Sequence, residues 1–304
     1  MKVSIVIPAF NEEESIGKTL SKVREQVQDF DHEIIVVDDG SNDTTLSIVK
    51  EMQKQVPELK YVSLSRNFGH QSALRAGLDC ATGDCIISMD SDLQHPPETI
   101  PEMIKKWQEG YDIIYTTRSD SSQIGIFKKL TSSIFYKIQN LLSDVKIDKN
   151  AADFRLTDRR VVDLVKNSAE YDLFLRGFFS WVGFKQYNLR YTPNKRIAGR
   201  SKYTFKKMMN LAFNGITSFS IKPLRFSIIV GVVMALCAFL YLGFVVFVYF
   251  FTDRVISGWA SIIASILLLG GIQLIVLGII GEYLGRIFIQ TKQRPSYIIR
   301  ERSL

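Results

Sequence analysis

The segment Cys85-Ile86-Ile87-Ser88-Met89-Asp90-Ser91-Asp92 places two carboxylates, two residues apart, directly after an apolar run. The run predicts a buried strand, and in an α/β sheet ligands bind at the carboxyl ends of parallel strands. Charges at the mouth of a buried strand are costly unless they bind something. Oxygen ligands of this kind suit a hard divalent cation, Mg2+ or Mn2+, and such a cation suits a diphosphate. The plain alternative is a chance pair of surface aspartates, and the surrounding sequence decides between the two.

Outward from this segment, apolar β-rich runs alternate with helical patterns. Val3–Ile7 precedes a helix expected from near Asn11, Glu33–Val37 one from near Asn42, and Tyr61–Leu64 one from about His70 to Cys80. Cys85–Met89 precedes a helical pattern over Pro96–Glu109, and the run Asp112–Tyr115 follows. Continuous apolar strands separated by helices of roughly 10–15 residues predict a mostly parallel sheet covered on both faces. The polar strand ends Pro8-Ala9-Phe10-Asn11, Asp38-Asp39-Gly40-Ser41 and Asp90-Ser91-Asp92 would line one rim. Further on, Ile126, Leu130, Ile134, Ile138 and Leu141 recur at helical spacing, which fits a core-facing helix or membrane contact. Tyr203–Ile221 is amphipathic and basic, which suits an interfacial position.

The net charge of +7 is unevenly spread. Residues 1–190 hold 24 Lys/Arg and 28 Asp/Glu, whereas residues 191–225 hold eight basic residues and no acidic one. This excludes a general nucleic-acid surface and concentrates positive charge before a hydrophobic block. That block contains two uncharged runs, Phe226–Phe251 and Val255–Gly281, of 26 and 27 residues. A helix of that length covers roughly 39 Å, more than the hydrocarbon core of a bilayer. The two runs read as a transmembrane hairpin with a short turn at Thr252-Asp253-Arg254. Eight basic residues precede it, one lies in the turn and five follow Glu282, so the positive-inside rule predicts cytoplasmic termini. Lys2–Ile7 already reads as a strand, so no signal peptide is expected. Cys80, Cys85 and Cys237 lack metal-type spacing and are expected as reduced thiols.

Four other constellations carry chemistry. Asp38-Asp39-Gly40-Ser41-Asn42-Asp43 reads as a tight turn into a capped helix, with carboxylates to spare for a base or ribose. It is not a phosphate-cradling glycine loop, since neither Gly-X-Gly-X-X-Gly nor a Walker A sequence occurs. His95 fits a metal ligand or a structural residue, and Arg118, after the fifth strand, a phosphate contact or a solvated side chain. Asp153, in Ala151-Ala152-Asp153-Phe154-Arg155, fits a general base or the partner of Arg155. The basic stretch Arg196–Tyr203 suits closure over a diphosphate or anchoring to anionic headgroups.

Taken in order, Val3–Asn11, Asp38–Asp43, Arg66-Asn67-Phe68-Gly69, Asp90–Pro97, Asp153-Phe154-Arg155 and Arg196–Tyr203 resemble a family 2 glycosyltransferase of the GT-A fold. The similarity is to the polyprenyl-phosphate glycosyltransferases and covers essentially the whole chain, the C-terminal hairpin matching the bactoprenol branch. The resemblance implies that Pro8, Glu12 and Asp39 contact the nucleotide and that Asp90 and Asp92 serve the metal and diphosphate. It implies that Arg196, Ser201 and Lys202 lie near phosphates, and that Asp153 matches a suspected base. A lipid phosphate is already largely ionised at neutral pH, so Asp153 is also read as orienting Arg155 or the acceptor.

The expected organisation is therefore a cytoplasmic GT-A domain (1–190) and a basic loop with a juxtamembrane helix (191–225). Two transmembrane helices (226–282) and a cytoplasmic tail (283–304) follow, in a bacterial inner membrane. The expected reaction is inverting, metal-dependent transfer of glucose or N-acetylglucosamine from a UDP-sugar to undecaprenyl phosphate. Asp153, Asp92 and Arg118 are its catalytic candidates. Membrane lipid is an expected partner, nucleic acid is not, and a homo-oligomer is left open. A processive polysaccharide synthase is disfavoured by the absence of Gln-X-X-Arg-Trp and by too few spans. A transporter is disfavoured by two spans without charge, and an inactive sensor by the intact Asp90/Asp92 pair.

Overall fold

The computed structural model describes residues 1–118, 151–171, 173–192, 220–251 and 258–303. Among the described residues eight strands form one sheet: β1 Lys2–Ala9, β2 Asp31–Asp38, β3 Leu59–Leu64, β4 Cys85–Ser88, β5 Ile113–Arg118, β6 Ala151–Asp158, β7 Gln186–Tyr191 and β8 Ile299–Arg302. Their order is β7-β5-β6-β4-β1-β2-β3-β8. Strands β1 to β4 are parallel, as their continuous apolar runs predict. Strand β6 runs antiparallel to β4 and β5, and β8 antiparallel to β3. The order reverses between β1 and β4, so a topological switch point opens beside Asp90.

Helices α1 (Ile16–Val27), α2 (Thr45–Gln53) and α4 (Ile100–Gln108) cover one face. Helices α3 (His70–Cys80), α5 (Arg159–Asn167) and α6 (Leu175–Trp181) cover the other. Successive strand residues feed opposite cores. Ile34 and Val36 join Ile16, Leu20 and Val49, whereas Ile35 and Val37 join Leu74, Val161 and Phe178. Gly77 sets the depth of α3, since a Cβ there would meet Val6 Cγ1 at 2.2 Å. Helix α1 starts later than the Asn11 expected from the sequence. Asn11 takes φ 53°, and Ser15 and Ile16 instead turn onto the Glu12 carbonyl. The amphipathic stretches 126–141 and 203–219 lie outside the described residues.

Two long helices follow, α7 (Lys222–Phe251) and α8 (Trp259–Thr291), both long and apolar enough to cross a membrane. Phe226, Leu240, Leu267 and Ile275 stand exposed on them, an arrangement suited to lipid rather than water. Helix α8 continues past Glu282, and the chain then returns to the sheet as β8. Gln290 joins it to the sheet domain, accepting from Tyr171 N at 2.9 Å and donating to the Ala169 carbonyl at 2.6 Å. Tyr297 Oη donates to Asp79 at 2.7 Å, and Lys50 pairs with Glu301 at 2.8 Å. The C-terminal segment, expected as a tail, thus pins the two long apolar helices to the sheet edge.

Glu33 is the buried charge that ties the amino edges of β1, β2 and β3 together. Its oxygens accept from Ser4 Oγ, Thr82 N and Lys60 Nζ at 2.7, 2.7 and 2.8 Å. Burial alone would raise its pKa, but Lys60, Ser4 and Thr82 outweigh it and hold the carboxyl at about 2 against an ordinary 4.5. A depressed folded-state pKa contributes stability above the unfolded value and loses it as pH falls toward the folded one. The contribution, roughly 3 kcal/mol at neutral pH, should therefore fade between about pH 4.5 and about 2. Thermal unfolding of detergent-solubilised protein checks this. Glu33→Gln should lower the neutral-pH midpoint and flatten its decline through that acidic window, whereas an equally steep decline in the variant would assign it to other groups.

Candidate active site

The site is built at the carboxyl ends of β1, β2 and β4, with β5 and β6 closing one side. Asp38 ends β2 as a structural group, accepting from Ser41 N and Ser63 Oγ, each at 3.1 Å. Its neighbour Asp39 is also buried. It accepts from Phe68 N at 2.7 Å and Gly69 N at 2.9 Å, so each oxygen holds one amide of the Arg66–Gly69 loop. Burial pushes its pKa up, against those two amides. A carboxylate has about four lone-pair sites, so accepting capacity remains. Gly40 sits at φ +70°, and a Cβ would come within 2.6 Å of the Arg66 backbone, so glycine lets the two loops touch. Asp43 takes a local structural role in the turn before α2, accepting from Thr45 N at 3.0 Å and from Glu13 N at 3.2 Å. Pro8 is buried within β1, and Glu12 accepts from Ser15 Oγ at 2.8 Å at the turn into α1.

Asp90 and Asp92 follow β4 and are both partly exposed. Asp92 Oδ1 accepts from Gln94 N at 3.0 Å, a local turn that carries Leu93 at φ 56°. A buried leucine in the left-handed region stores strain, of a kind that clusters at functional sites. His95 is fully buried, its ring stacked on Phe154 with centroids 5.1 Å apart. Its Nδ1 accepts from Asp90 N at 3.2 Å, so its place is in the support beneath the carboxylates.

The antiparallel pairing of β4 with β6 matches Ser88 with Arg155, and the same register carried onward sets Asp153 opposite Asp90. Like charges facing across a sheet repel. The repulsion is met by cations from the other layer. Arg176, on α6, donates to both oxygens of Asp153, Nε to Oδ1 and Nη2 to Oδ2, each at 2.7 Å. His70, at the start of α3, puts Nε2 3.4 Å from Asp153 and 3.6 Å from Asp90. Burial alone would raise the pKa of Asp153, but Arg176 and then His70 hold it well below the usual carboxylate range. Burial opposes protonation of His70, yet Asp153 and Asp90 raise its pKa to about 9. Arg155 lies farther from Asp153, at 4.0 Å; it donates to the Ala152 carbonyl and stacks over Phe179. Arg118 ends β5, its Nε bonded to Tyr191 Oη at 3.1 Å.

Of the residues singled out from sequence, Asp90 and Asp153 thus come together around His70, Asp92 follows two residues after Asp90, and Arg118 lies on the β5–β7 side, bonded to Tyr191. Arg196, Ser201 and Lys202 lie outside the described residues. Arg176 and His70 were missed. The Asp153–Arg176 bond joins residues 23 apart in sequence, and nothing in local pattern pairs them. His70 directly follows the Arg66–Gly69 motif, which was its one available signal.

Residues 4–165 match the description Glycosyl transferase family 2, and residues 222–287 match GtrB C-terminal hairpin. The chain belongs to glycosyl transferase family 2: it is a glycosyltransferase, with a GT-A α/β domain and a C-terminal pair of apolar helices. It is 45% identical over 302 residues to the prophage bactoprenol glucosyl transferase homolog of Escherichia coli (strain K12), covering 99% of each chain. It is 44% identical over 304 residues to the bactoprenol glucosyl transferase of Shigella phage SfX, covering 99% of this chain and 100% of that one. It is also 43% identical over 303 residues to the uncharacterized glycosyltransferase YkcC of Bacillus subtilis (strain 168), covering 99% and 94% respectively.

Breaking the Asp153–Arg176 pair from one side should be worse than removing both. Arg176→Met leaves a buried carboxylate without its main partner and should cost up to about 3 kcal/mol, Arg176 being itself partly exposed. The double variant Asp153→Leu/Arg176→Met should recover part of that loss. A double-mutant cycle on thermal unfolding reads the coupling, and simple additivity would mean the pair is not coupled.

Proposed function

We propose that the protein transfers a single sugar, glucose or N-acetylglucosamine, from a UDP-sugar to undecaprenyl phosphate with inversion at the anomeric carbon. The observation that carries this reading is the physical link between rim and membrane. The carboxylates stand at the switch point of a sheet whose edge strand, β8 (Ile299–Arg302), follows a membrane-length helix ending at Thr291 after a short connection. An acceptor that is itself a membrane lipid suits that construction. The full-length similarity to proteins named bactoprenol glucosyl transferase supports the same acceptor.

In this reading Pro8, Glu12 and Asp39 form the nucleotide side, Asp39 using the accepting capacity left on its buried carboxylate. Asp90 and Asp92 would hold Mg2+ or Mn2+. Among the described residues no group of three or more His, Cys, Asp or Glu side chains is placed to hold a metal alone. That fits a hard cation completed by substrate phosphates, the usual arrangement for Mg2+ with one or two carboxylates. When bound, the ion neutralises charge on the leaving diphosphate. Arg118 faces the acceptor phosphate, with Arg196, Ser201 and Lys202 as further phosphate contacts.

Asp153 acts as an anchor rather than a base. A carboxylate held well below its usual range by Arg176 is a poor proton acceptor. The lipid phosphate carries about −1.5 to −2 charges at neutral pH and attacks without losing a proton. The catalytic domain and both termini are cytoplasmic in this reading, at a bacterial inner membrane, with 1–190 as the transferase domain and 191–225 as the link to the membrane.

The test incubates the purified protein with radiolabelled UDP-sugars and undecaprenyl phosphate. One organic-soluble product carrying one sugar should form. Free polyprenol in place of the phosphate should give none, and a growing polymer or a water-soluble product would overturn the reading. Asp92→Asn and EDTA should each reduce turnover by at least about 100-fold, as loss of a metal's charge stabilisation implies; full activity of the variant in EDTA would remove the metal from the scheme. Cysteine labelling from outside the cell should reach a cysteine introduced at Ser257 but not one at Ser303, and the reverse pattern would overturn the topology.

A further inference from the structure

We propose that Tyr191 is a positioning residue for the acceptor: its hydroxyl holds the Arg118 guanidinium so that the paired Nη1 and Nη2 edge faces the phosphate of the lipid. The inference rests on the reading above, in which Arg118 faces that phosphate. Nothing in the local sequence marks Tyr191. The pairing of β5 with β7 brings it to the site. The two strands run parallel in register from Ile113 beside Gln186 to Arg118 beside Tyr191, so their last residues stand together. Alternation along β7 buries Leu189 and Tyr191 and turns Arg190 outward. Tyr191 is 5% exposed, whereas Arg118 is exposed, and Arg118 Nε–H donates to Tyr191 Oη at 3.1 Å.

The ring that carries this hydroxyl is fixed. His95 meets it edge-on with centroids 5.9 Å apart, Phe154 meets it edge-on at 6.2 Å, and His95 stacks on Phe154 at 5.1 Å. The same His95 accepts from Asp90 N at 3.2 Å. One aromatic block thus holds the backbone of Asp90 on one side and the guanidinium of Arg118 on another. It sets the spacing between the groups assigned to the leaving diphosphate and to the attacking phosphate, and fixed spacing is what a displacement reaction needs. Burial, the largest influence, pushes the Tyr191 pKa up; Arg118 opposes it, and Asp90 and Asp92 add to it, so all three charges act on this ring.

A guanidinium carries five N–H donors. Committing Nε to Tyr191 leaves the Nη edge, whose two parallel N–H groups match two oxygens of a phosphate. An exposed arginine otherwise samples many rotamers, and ordering it opposes binding. A bond to an immobile hydroxyl orders it before the acceptor arrives. Tyr191 acts through Arg118, so loss of its hydroxyl should weaken acceptor binding and leave the nucleotide side alone.

The experiment measures initial rates of the full-length protein in detergent, with undecaprenyl phosphate and whichever of UDP-glucose and UDP-N-acetylglucosamine it turns over. Tyr191→Phe removes one oxygen and keeps the ring packing. It should raise the KM for undecaprenyl phosphate about 10-fold, the equivalent of one hydrogen bond to a charged group, with kcat within about threefold of wild type. The KM for the UDP-sugar and the thermal midpoint should not change. In an Arg118→Ala background, adding Tyr191→Phe should have no further effect on the acceptor KM. A wild-type acceptor KM in Tyr191→Phe overturns the proposal. An equal fold-loss in the Arg118→Ala background also overturns it, because Tyr191 then acts without Arg118. A parallel rise in both KM values with a lower thermal midpoint makes Tyr191 a core residue only. If Tyr191→Phe does not fold, Arg118→Lys decides: one ammonium cannot bond Tyr191 and grip two phosphate oxygens in a fixed plane, so its acceptor KM should rise, and a wild-type value refutes the positioning role. Arg118→Ala alone separates the two levels. If it leaves the acceptor KM unchanged, the reading that Arg118 meets the acceptor phosphate fails; if it raises that KM while Tyr191→Phe does not, only this inference fails.

Discussion

Two aspartates, Asp90 and Asp153, face each other across the end of an antiparallel strand pair, and the site depends on how their repulsion is met. Arg176 grips Asp153 with two hydrogen bonds, and His70 sits within 3.6 Å of both carboxylates. The cations come from α6 and α3, on the face of the sheet opposite α1, α2 and α4. The rim therefore needs that layer in place before it can carry its charge. Asp153, held by Arg176 and flanked by His70, becomes part of the frame, while Asp90 and Asp92 stay partly exposed.

The second constraint is distance from the membrane. A transferase whose acceptor is a lipid must hold its rim at a set height, because misplacement of reacting groups by about 1 Å is enough to slow a reaction steeply. Here the connection is made by pairing rather than by a loose linker. Strand β8 adds to β3, and Gln290, Tyr297 and Glu301 each bond to the catalytic domain. The Gln290 contacts fall on Ala169 and Tyr171, just before the helix that carries Arg176. The membrane helix and the anchor of Asp153 are thus neighbours in the structure.

Much of this was legible in the sequence because it is local. Short, β-branched apolar runs such as Ile34–Val37 read as strands buried on both faces, and their polar ends mark the rim. The uncharged runs at 226–251 and 255–281 read directly as membrane-length helices. What escaped was set by partners far along the chain. Ile299–Arg302 is four residues with two arginines and has no strand signal of its own; it is a strand because β3 offers an open edge. Arg155 seemed the mate of Asp153 by proximity in sequence, and it does lie at ion-pair distance, 4.0 Å, while its guanidinium also stacks on Phe179. The close hydrogen bonds to Asp153 come from Arg176. Asn11 looked like a helix start, yet its side chain accepts from Asn42 N at 2.9 Å, tying β1 to β2 and delaying α1.

The central claim is that the charged lipid phosphate is itself the nucleophile, with Asp153 as a fixed anchor. The direct measurement is transfer to undecaprenyl phosphate from about pH 5 to about pH 8 in wild type and Asp153→Asn. Activity should rise through the second ionisation of the phosphate, near pH 6, with the same shape in both proteins and a lower ceiling in the variant. If the rise disappears or moves in Asp153→Asn, that limb belongs to the aspartate, and the account of Asp153 as an anchor is wrong.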